Sequence, residues 1–200
     1  MFPFYFITDS EAATAQAIAG GARLIQYRDK VSTRNVLYET AKSLRQITAQ
    51  AGATLIINDQ IDLALAVGAD GVHLGQDDLP IEVARKILGS AAIVGISTHT
   101  QEEAIEAECR GADYIGFGPI FKTKTKNNAQ APVGVSPIVQ IKQTVRIPLY
   151  AIGGIALTDV PAIFSAGADG VAAISAVSGD IETNVREWIK TILALQSQMG

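Results

Sequence analysis

The stretch that decides the fold is Gly68-Ala-Asp-Gly-Val-His-Leu-Gly75, because its pattern recurs twice further along the chain. The other copies are Gly111-Ala-Asp-Tyr-Ile-Gly-Phe-Gly118 and Gly167-Ala-Asp-Gly-Val-Ala-Ala-Ile174, and shorter Gly-Ala pairs begin at Gly21 and Gly52. Glycine readily adopts the left-handed conformation that ends a helix, so each copy predicts a helix-to-strand joint. Similar joints predict a fold that repeats one strand–helix unit.

Eight short apolar runs follow or flank these joints, and several are continuously apolar, as is typical of parallel strands buried on both faces. The runs are Tyr5–Thr8, Leu24–Tyr27, Leu55–Ile57, Val72–Gly75, Ile93–Ile96, Tyr114–Phe121, Leu149–Ile152 and Val171–Ile174. Segments between them, such as Thr33–Gln50 and Asn184–Leu195, have helical composition or spacing. We therefore predict an α/β fold, a single-domain (β/α)8 TIM barrel over residues 1–200. A doubly wound open sheet is the alternative, but no dinucleotide-type glycine fingerprint follows the first strand.

Composition restricts the class of protein, the cellular location and the partners that we expect. With 48% hydrophobic residues among 200, one core can form, yet no apolar run is long enough to cross a bilayer. The start has no basic region or cleavage site of a signal peptide, and the single Cys109 excludes an intrachain disulfide, so we expect a cytoplasmic protein. The net charge of −4 argues against general nucleic-acid binding, and no feature specifies an oligomeric state.

Two carboxylates follow neighbouring predicted strands. Asp59 comes after the third run and Asp78 after the fourth, and barrel strands present their C-terminal ends on one face. Converging carboxylates repel each other unless a cation or a proton intervenes. The candidate ligands are all oxygens, which favours Mg²⁺ over zinc. The structural alternative is that each aspartate caps the helix that follows it.

Two cations follow the second run. Arg28 and Lys30 are two positions apart, so in an extended chain they point the same way. Such a pair is disfavoured without an anion, and a pyrophosphate neutralised further by Mg²⁺ would satisfy it. The alternative is a surface salt bridge with Asp29 or Glu39.

The segments after the sixth, seventh and eighth runs suggest a second anion site. Phe121–Val135 is long for a loop in so small a barrel and carries Thr123, Thr125 and Lys126, which favours a lid over a phosphate rather than a solvated insertion. Gly154 and Ser175 end the next two runs, where barrels of this kind often bind phosphate through backbone N–H groups. A tight packing corner is the alternative for these two.

The two histidines receive different interpretations. His73 lies within the fourth run and is best explained as an inner-layer residue with satisfied hydrogen bonds. His99 follows the fifth run on the ligand-facing side and could move a proton. Together, these patterns predict one metal-assisted pyrophosphate site and one monophosphate site on the same face.

Six motifs, in order along the chain, closely resemble those of the thiamine-phosphate synthase family. They are Gln26-Tyr-Arg-Asp-Lys30, Ile57-Asn-Asp59, Gly71-Val-His-Leu-Gly-Gln-Asp-Asp78, Gly95-Ile-Ser-Thr-His-Thr100, Gly118-Pro-Ile-Phe-Lys-Thr-Lys-Thr-Lys126 and Ala151-Ile-Gly-Gly-Ile155. The resemblance implies a TIM-barrel transferase that joins hydroxymethylpyrimidine diphosphate to hydroxyethylthiazole phosphate, with release of pyrophosphate through a dissociative, Mg²⁺-assisted reaction.

The resemblance also implies roles for individual residues. Catalytic roles fall to Ser97 at the reacting centre and to Lys126 and Arg28. Asp59 and Asp78 would bind Mg²⁺. The substrate contacts would come from Tyr5 and Gln26 on the pyrimidine, from Arg28, Lys30, Asn58 and Lys126 on the diphosphate, and from Thr123, Thr125, Gly154, Ile174 and Ser175 on the thiazole phosphate.

Two departures from the family pattern keep an alternative open. Lys122 stands where a proline is expected, and the loop Asp9–Ala15 is short, as it is in the related TenI thiazole tautomerases. A TenI-like tautomerase would use His99 as its acid/base, and a non-catalytic TenI-like regulatory binder is a further possibility. The synthase is preferred because the expected metal and diphosphate residues are all present.

Overall fold

The computed structural model describes residues 2–123 and 131–199. Its strands are β1 Phe4–Thr8, β2 Leu24–Tyr27, β3 Thr54–Asn58, β4 Gly71–Leu74, β5 Ile93–Thr98, β6 Tyr114–Phe117, β7 Leu149–Ile152 and β8 Gly170–Ala173. The helices are α1 Glu11–Ala19, α2 Arg34–Gln50, α3 Ile61–Val67, α4 Ile81–Leu88, α5 Gln101–Cys109, α6 Ser136–Thr144, α7 Val160–Ser165 and α8 Ile181–Met199. All neighbouring strands are parallel, and β8 pairs with β1. This closed barrel confirms the predicted TIM-barrel fold.

The Gly-Ala joints have the predicted geometry. The glycine of every joint has a positive φ, between 61° at Gly52 and 106° at Gly21. Gly68, which is in the left-handed conformation, lies directly after α3. Its N–H caps the helix by donating to the carbonyl oxygens of Ala64 and Leu65. The joints therefore turn the chain from each helix into the next strand without a long loop.

The aspartates of the three Gly-Ala-Asp copies clamp the N-terminal edge of the barrel. The Asp70 Oδ2 accepts a 2.7 Å hydrogen bond from the Leu55 N–H. The same atom forms an ion pair with Arg45 at 2.7 Å. The other clamps join Asp113 to Val94 and Arg85, and Asp169 to Leu149 and Lys142. Each clamp connects a strand, the entry of the next strand and the helix that precedes the first of these two strands. The clamps therefore recur at every second strand–helix unit, before β4, β6 and β8.

Three tyrosines fill the barrel interior. Tyr5, Tyr114 and Tyr150 pack edge to face with ring centroids 5.5–5.8 Å apart. A Cβ atom on Gly95 would lie 2.0 Å from the Tyr114 ring, and one on Gly170 would lie 2.5 Å from the Tyr150 ring. The inward-facing glycines therefore make room for the large rings, so the interior is a packed core.

The sixth apolar run was predicted too long. The strand β6 ends at Phe117, whereas the run continues to Phe121. Pro119 has no N–H to donate to a neighbouring strand. Beyond it, the Ile120 N–H donates to the Ile152 carbonyl at 2.9 Å, so the chain turns across the exit of β7. Among the described helices, none is long and apolar enough to cross a membrane.

Candidate active site

The exits of β2 and β3 place Lys30 beside Asp59. The Lys30 Nζ lies 2.6 Å from the Asp59 Oδ2, and the lysine side chain is 51% exposed while the aspartate side chain is 23% exposed. Asp59 has φ 61°, and it is the only non-glycine residue with a positive φ in residues 2–123 and 131–199. Aspartate tolerates this left-handed conformation better than most side chains. The sharp turn at the end of β3 is a strained feature of the kind that clusters at functional sites.

Asp78 interacts with this ion pair from the exit of β4. Its Oδ2 accepts a 2.6 Å hydrogen bond from the Gly75 N–H. Burial raises the pKa of Asp78, the hydrogen bond from Gly75 opposes that rise, and the nearby Asp59 carboxylate raises the pKa further. The carboxylates therefore meet in one place, and their repulsion favours a cation between them.

The donor set at this place fits Mg²⁺. Two carboxylates supply oxygen ligands, and the remaining positions of a magnesium ion are commonly filled by water and substrate phosphate. Within the described part of the chain, no three His, Cys, Asp or Glu side chains converge on one point, so a site built wholly from such side chains is absent there.

The alternatives of helix capping by Asp59 and Asp78, and of a salt bridge from Lys30 to Asp29 or Glu39, are wrong. The helices α3 and α4 have Gln60 and Pro80 at their N-caps, and neither helix receives a side-chain cap from Asp59 or Asp78. Lys30 pairs with Asp59 rather than with Asp29 or Glu39. Asp29 instead accepts hydrogen bonds from the N–H groups of Val31 and Ser32, which fixes the turn after β2.

A chain of hydrogen bonds crosses the barrel interior beside the charged cluster. The Gln26 Nε2 donates to the Tyr5 hydroxyl at 2.7 Å, and that hydroxyl lies 2.8 Å from the Tyr114 hydroxyl. The Tyr114 hydroxyl lies 2.9 Å from the His73 Nδ1, and the His73 Nε2 lies 3.0 Å from the Ser97 Oγ. His73 is thus the inner-layer, hydrogen-bonded histidine that was predicted. Tyr5 and Gln26 are each 2% exposed, and their contact with a pyrimidine stays a prediction.

The exit of β5 carries two further polar contacts. The Ser97 carbonyl accepts a 2.6 Å hydrogen bond from the Gln76 side chain, which ties the loop after β4 to β5. Glu103 accepts from the His99 backbone N–H at 2.6 Å and lies 3.1 Å from the His99 Nδ1. Glu103 therefore holds the imidazole ring of His99 through the Nδ1 atom of that ring.

The exits of β7 and β8 carry the residues that were predicted for the second anion site, and phosphate binding there stays a prediction. Gly153 and Gly154 have φ 97° and 66°, and a Cβ on Gly154 would lie 2.5 Å from the Lys122 carbonyl oxygen. The Phe121 N–H donates to the Gly153 carbonyl at 2.9 Å. The paired glycines therefore form a tight packing corner against residues 119–122, as the structural alternative proposed. Ser175 starts a short 3₁₀ helix and is exposed.

The remaining predicted site residues lie at the same end of the barrel or outside the described residues. Arg28 directly follows β2, and its N–H donates to the Thr8 carbonyl at 2.8 Å, while Asn58 is the last residue of β3. Ile174 follows β8 and packs against the interior cluster that contains Tyr5. Thr123 is described, whereas Thr125, Lys126 and most of the predicted lid lie outside the described residues.

Several residues of the site were not predicted from the sequence. Tyr114 connects Tyr5 to His73, Gln76 holds the Ser97 carbonyl, and Glu103 holds His99. The alternation of inward and outward positions along β6 would have placed Tyr114 inside the barrel. Glu103 lies four residues after His99, a spacing at which helical side chains are neighbours.

Comparisons with known proteins agree on one family. The family model for thiamine monophosphate synthase matches residues 4–177. A thiamine-phosphate synthase of Chloroflexus aurantiacus is 46% identical over 97% of this chain and 94% of its own length. One from Moorella thermoacetica is 49% identical over 82% and 78% of the two chains. The solved thiamine phosphate pyrophosphorylase of Pyrococcus furiosus superposes with a TM-score of 0.90 at 39% identity, covering 97% and 96% of the two chains.

Proposed function

The chain belongs to the thiamine monophosphate synthase family, and we propose that it joins hydroxymethylpyrimidine diphosphate to hydroxyethylthiazole phosphate, giving thiamine phosphate and pyrophosphate. The observation that carries this proposal is the meeting of Lys30, Asp59 and Asp78 at one edge of the barrel. A reaction that expels a highly charged leaving group needs such a set of charges, whereas a simple proton shift does not.

In this proposal the first anion site binds the diphosphate. Lys30 exchanges part of its contact with Asp59 for phosphate oxygens, and Arg28, Asn58 and Lys126 contribute further donors. Asp59 and Asp78 hold Mg²⁺. When bound, this ion would neutralise charge on the departing pyrophosphate. The chain's own contribution is to orient the diphosphate at the exits of β2, β3 and β4.

The pyrimidine and the reacting carbon lie beside the interior hydrogen-bond chain. Tyr5 and Gln26 recognise the ring, and Ser97 lies at the reacting carbon. The carbon–oxygen bond breaks with its electron pair leaving on pyrophosphate, and a pyrimidine-stabilised cation forms. The lone pair of the thiazole nitrogen then forms the new carbon–nitrogen bond. Arg28, Ser97 and Lys126 stabilise this charge separation.

The second anion site binds the thiazole phosphate. Because residues 119–122 fill the space beside Gly153 and Gly154, we expect the phosphate to be bound through backbone N–H groups at these strand ends. Gly154, Ile174 and Ser175 supply the contacts from β7 and β8, and Thr123 and Thr125 supply those from the segment after β6. We further propose that residues 1–200 act as one catalytic domain in the cytoplasm, on small molecules and not on nucleic acids.

The tautomerase and regulatory-binder alternatives are not favoured. The residue that a tautomerase would use, His99, is present, but the curated relatives described above carry synthase names. The test incubates the purified protein with both substrates and Mg²⁺ and measures thiamine phosphate by chromatography, with each substrate omitted in turn as a control. We expect product only in the complete mixture. Isomerisation of the thiazole phosphate with no coupled product would contradict the proposal.

A further inference from the structure

The interior hydrogen-bond chain has a fixed direction that starts at Gln26. An amide nitrogen only donates, so the Tyr5 hydroxyl accepts from the Gln26 Nε2 at 2.7 Å. Tyr5 is buried, and among the described residues the only acceptor for its single proton is the Tyr114 hydroxyl, at 2.8 Å, so we direct the proton there. Tyr114 accepts that bond and has one proton of its own left to donate.

The direction continues into the histidine ring. Since Tyr114 accepts from Tyr5, its proton is donated to the His73 Nδ1 at 2.9 Å. A neutral imidazole whose Nδ1 accepts carries its proton on Nε2. That Nε2 lies 3.0 Å from the Ser97 Oγ, so His73 donates to the serine.

The surroundings keep this arrangement in place. Tyr5 and Tyr114 are 2% and 0% exposed, and burial raises the pKa of both hydroxyls, so they remain proton donors at neutral pH. A Cβ on Gly116 would lie 3.1 Å from the His73 Cε1, so this glycine lets the ring lie close against β6. A buried hydrogen-bond chain with matched donors and acceptors holds its members rigidly.

We propose that His73 is a positioning residue that acts through Ser97, with its neutral Nε2–H tautomer fixed by Tyr114. The bond from His73 occupies the serine oxygen as an acceptor and leaves the serine proton to be donated towards the reacting centre. Ser97 is then a hydrogen-bond donor to substrate rather than a base, since His73 offers it no acceptor for its proton. The role of Ser97 in the reaction rests on the proposed function, whereas the tautomer of His73 does not.

The tautomer is tested by ¹⁵N NMR of untagged protein labelled at its histidines. The chain has two histidines, so a His99→Gln variant leaves only the His73 ring in the spectrum. We expect the Nδ1 signal of an unprotonated nitrogen and the Nε2 signal of a protonated one. In Tyr114→Phe, which removes the fixing donor, we expect a mixture of tautomers. A single Nδ1–H tautomer in the otherwise unaltered protein would overturn the inference.

The positioning role is tested by two variants that separate the two ring nitrogens. The amide of His73→Asn can accept from Tyr114 but is too short to reach Ser97, whereas the amide of His73→Gln can reach Ser97 as a donor. We expect His73→Asn to lower kcat about tenfold with little change in KM, and His73→Gln to recover most of that loss. Equal kcat losses in both variants, or losses confined to KM, would contradict the positioning role.

Discussion

Lys30 and Asp59 form a 2.6 Å ion pair between the exits of two neighbouring strands, and Asp78 approaches the same carboxylate from a third. Because the lysine side chain is half exposed, such a pair contributes little to stability. Its position is better explained by the ligands that would separate it. A diphosphate competes for the lysine, and a divalent cation competes for the aspartates.

Replacing Lys30 tests whether this residue binds the diphosphate. We predict that Lys30→Ala lowers kcat/KM for thiamine phosphate formation by about a hundredfold or more, because charge stabilisation of the leaving group is lost. The thermal midpoint should change little, since the ion pair is exposed. Lys190→Ala, which removes an exposed lysine of α8, is the matched control and should retain full activity. Equal activities of the two variants would contradict a diphosphate site at Lys30.

Asp78 should impose a stability cost that depends on pH. Its pKa is raised in the folded protein, mainly by burial, so its contribution to stability is fully present below the ordinary aspartate pKa of about 3.9 and is lost as pH rises through the raised value. Asp78→Asn keeps an acceptor for the Gly75 N–H without the charge. We therefore predict that this variant raises the thermal midpoint at pH 7 in metal-free buffer.

The gain should shrink as the pH falls towards about 4, where the native carboxyl is also neutral. Thermal unfolding of both proteins followed by circular dichroism across this pH range provides the measurement. Asp77→Asn, which changes the adjacent exposed aspartate, should show no such pH-dependent gain. A gain of constant size at every pH would show that the charge of the buried Asp78 carboxylate is not its cause.

His99 should assist the reaction without being essential to it. We predict that His99→Ala still forms thiamine phosphate, at a rate reduced by about tenfold or less, because no proton transfer is required for the coupling step. The rate of thiamine phosphate formation is measured in His99→Ala and in Lys30→Ala, and we expect the larger loss in Lys30→Ala. A coupling rate that survives in Lys30→Ala but is abolished in His99→Ala would reverse the assignment and favour the tautomerase.

The aspartate clamps should stabilise the barrel independently of activity. Asp113→Ala removes the charged acceptor of the Val94 N–H, at 2.6 Å, and the partner of Arg85. We predict a loss of about 1.5–3 kcal/mol in the free energy of unfolding, as for a hydrogen bond to a charged group. Urea denaturation measures it, with Asp77→Ala as the control. No loss at Asp113 beyond that at Asp77 would mean that the clamp is not stabilising.

The fold could be predicted because its signals are local. The left-handed glycine at Gly68 and the apolar run after it lie within a few residues of each other, and the same pairing recurs around the barrel. The place of Asp59 and Asp78 could be predicted for a related reason. Parallel barrel strands bring their C-terminal ends to one face, so the residue after each strand is placed by topology alone.

Contacts that depend on register or side-chain direction could not be predicted in this way. The partner of Asp113 is Arg85, which lies on the helix before the preceding strand, and only the assembled barrel brings them within 2.7 Å. Tyr114 was not identified because its role depends on contacts across the barrel interior with Tyr5 of β1 and His73 of β4, neither of which neighbours β6. The left-handed turn at Asp59 also gave no signal, since its residue type suits several turn conformations.

The most direct test of the central claim is the dependence of thiamine phosphate formation on Mg²⁺ in the unaltered protein, Asp59→Asn and Asp78→Asn. Asparagine tolerates the left-handed conformation of residue 59, so the turn is retained while the charge is removed. We predict no product in chelator, full recovery of the unaltered protein on adding Mg²⁺, and a much higher Mg²⁺ requirement in both variants, with Asp77→Asn unaffected. Coupling that proceeds equally in chelator, or variants with an unchanged Mg²⁺ requirement, would contradict the claim that Asp59 and Asp78 hold the metal.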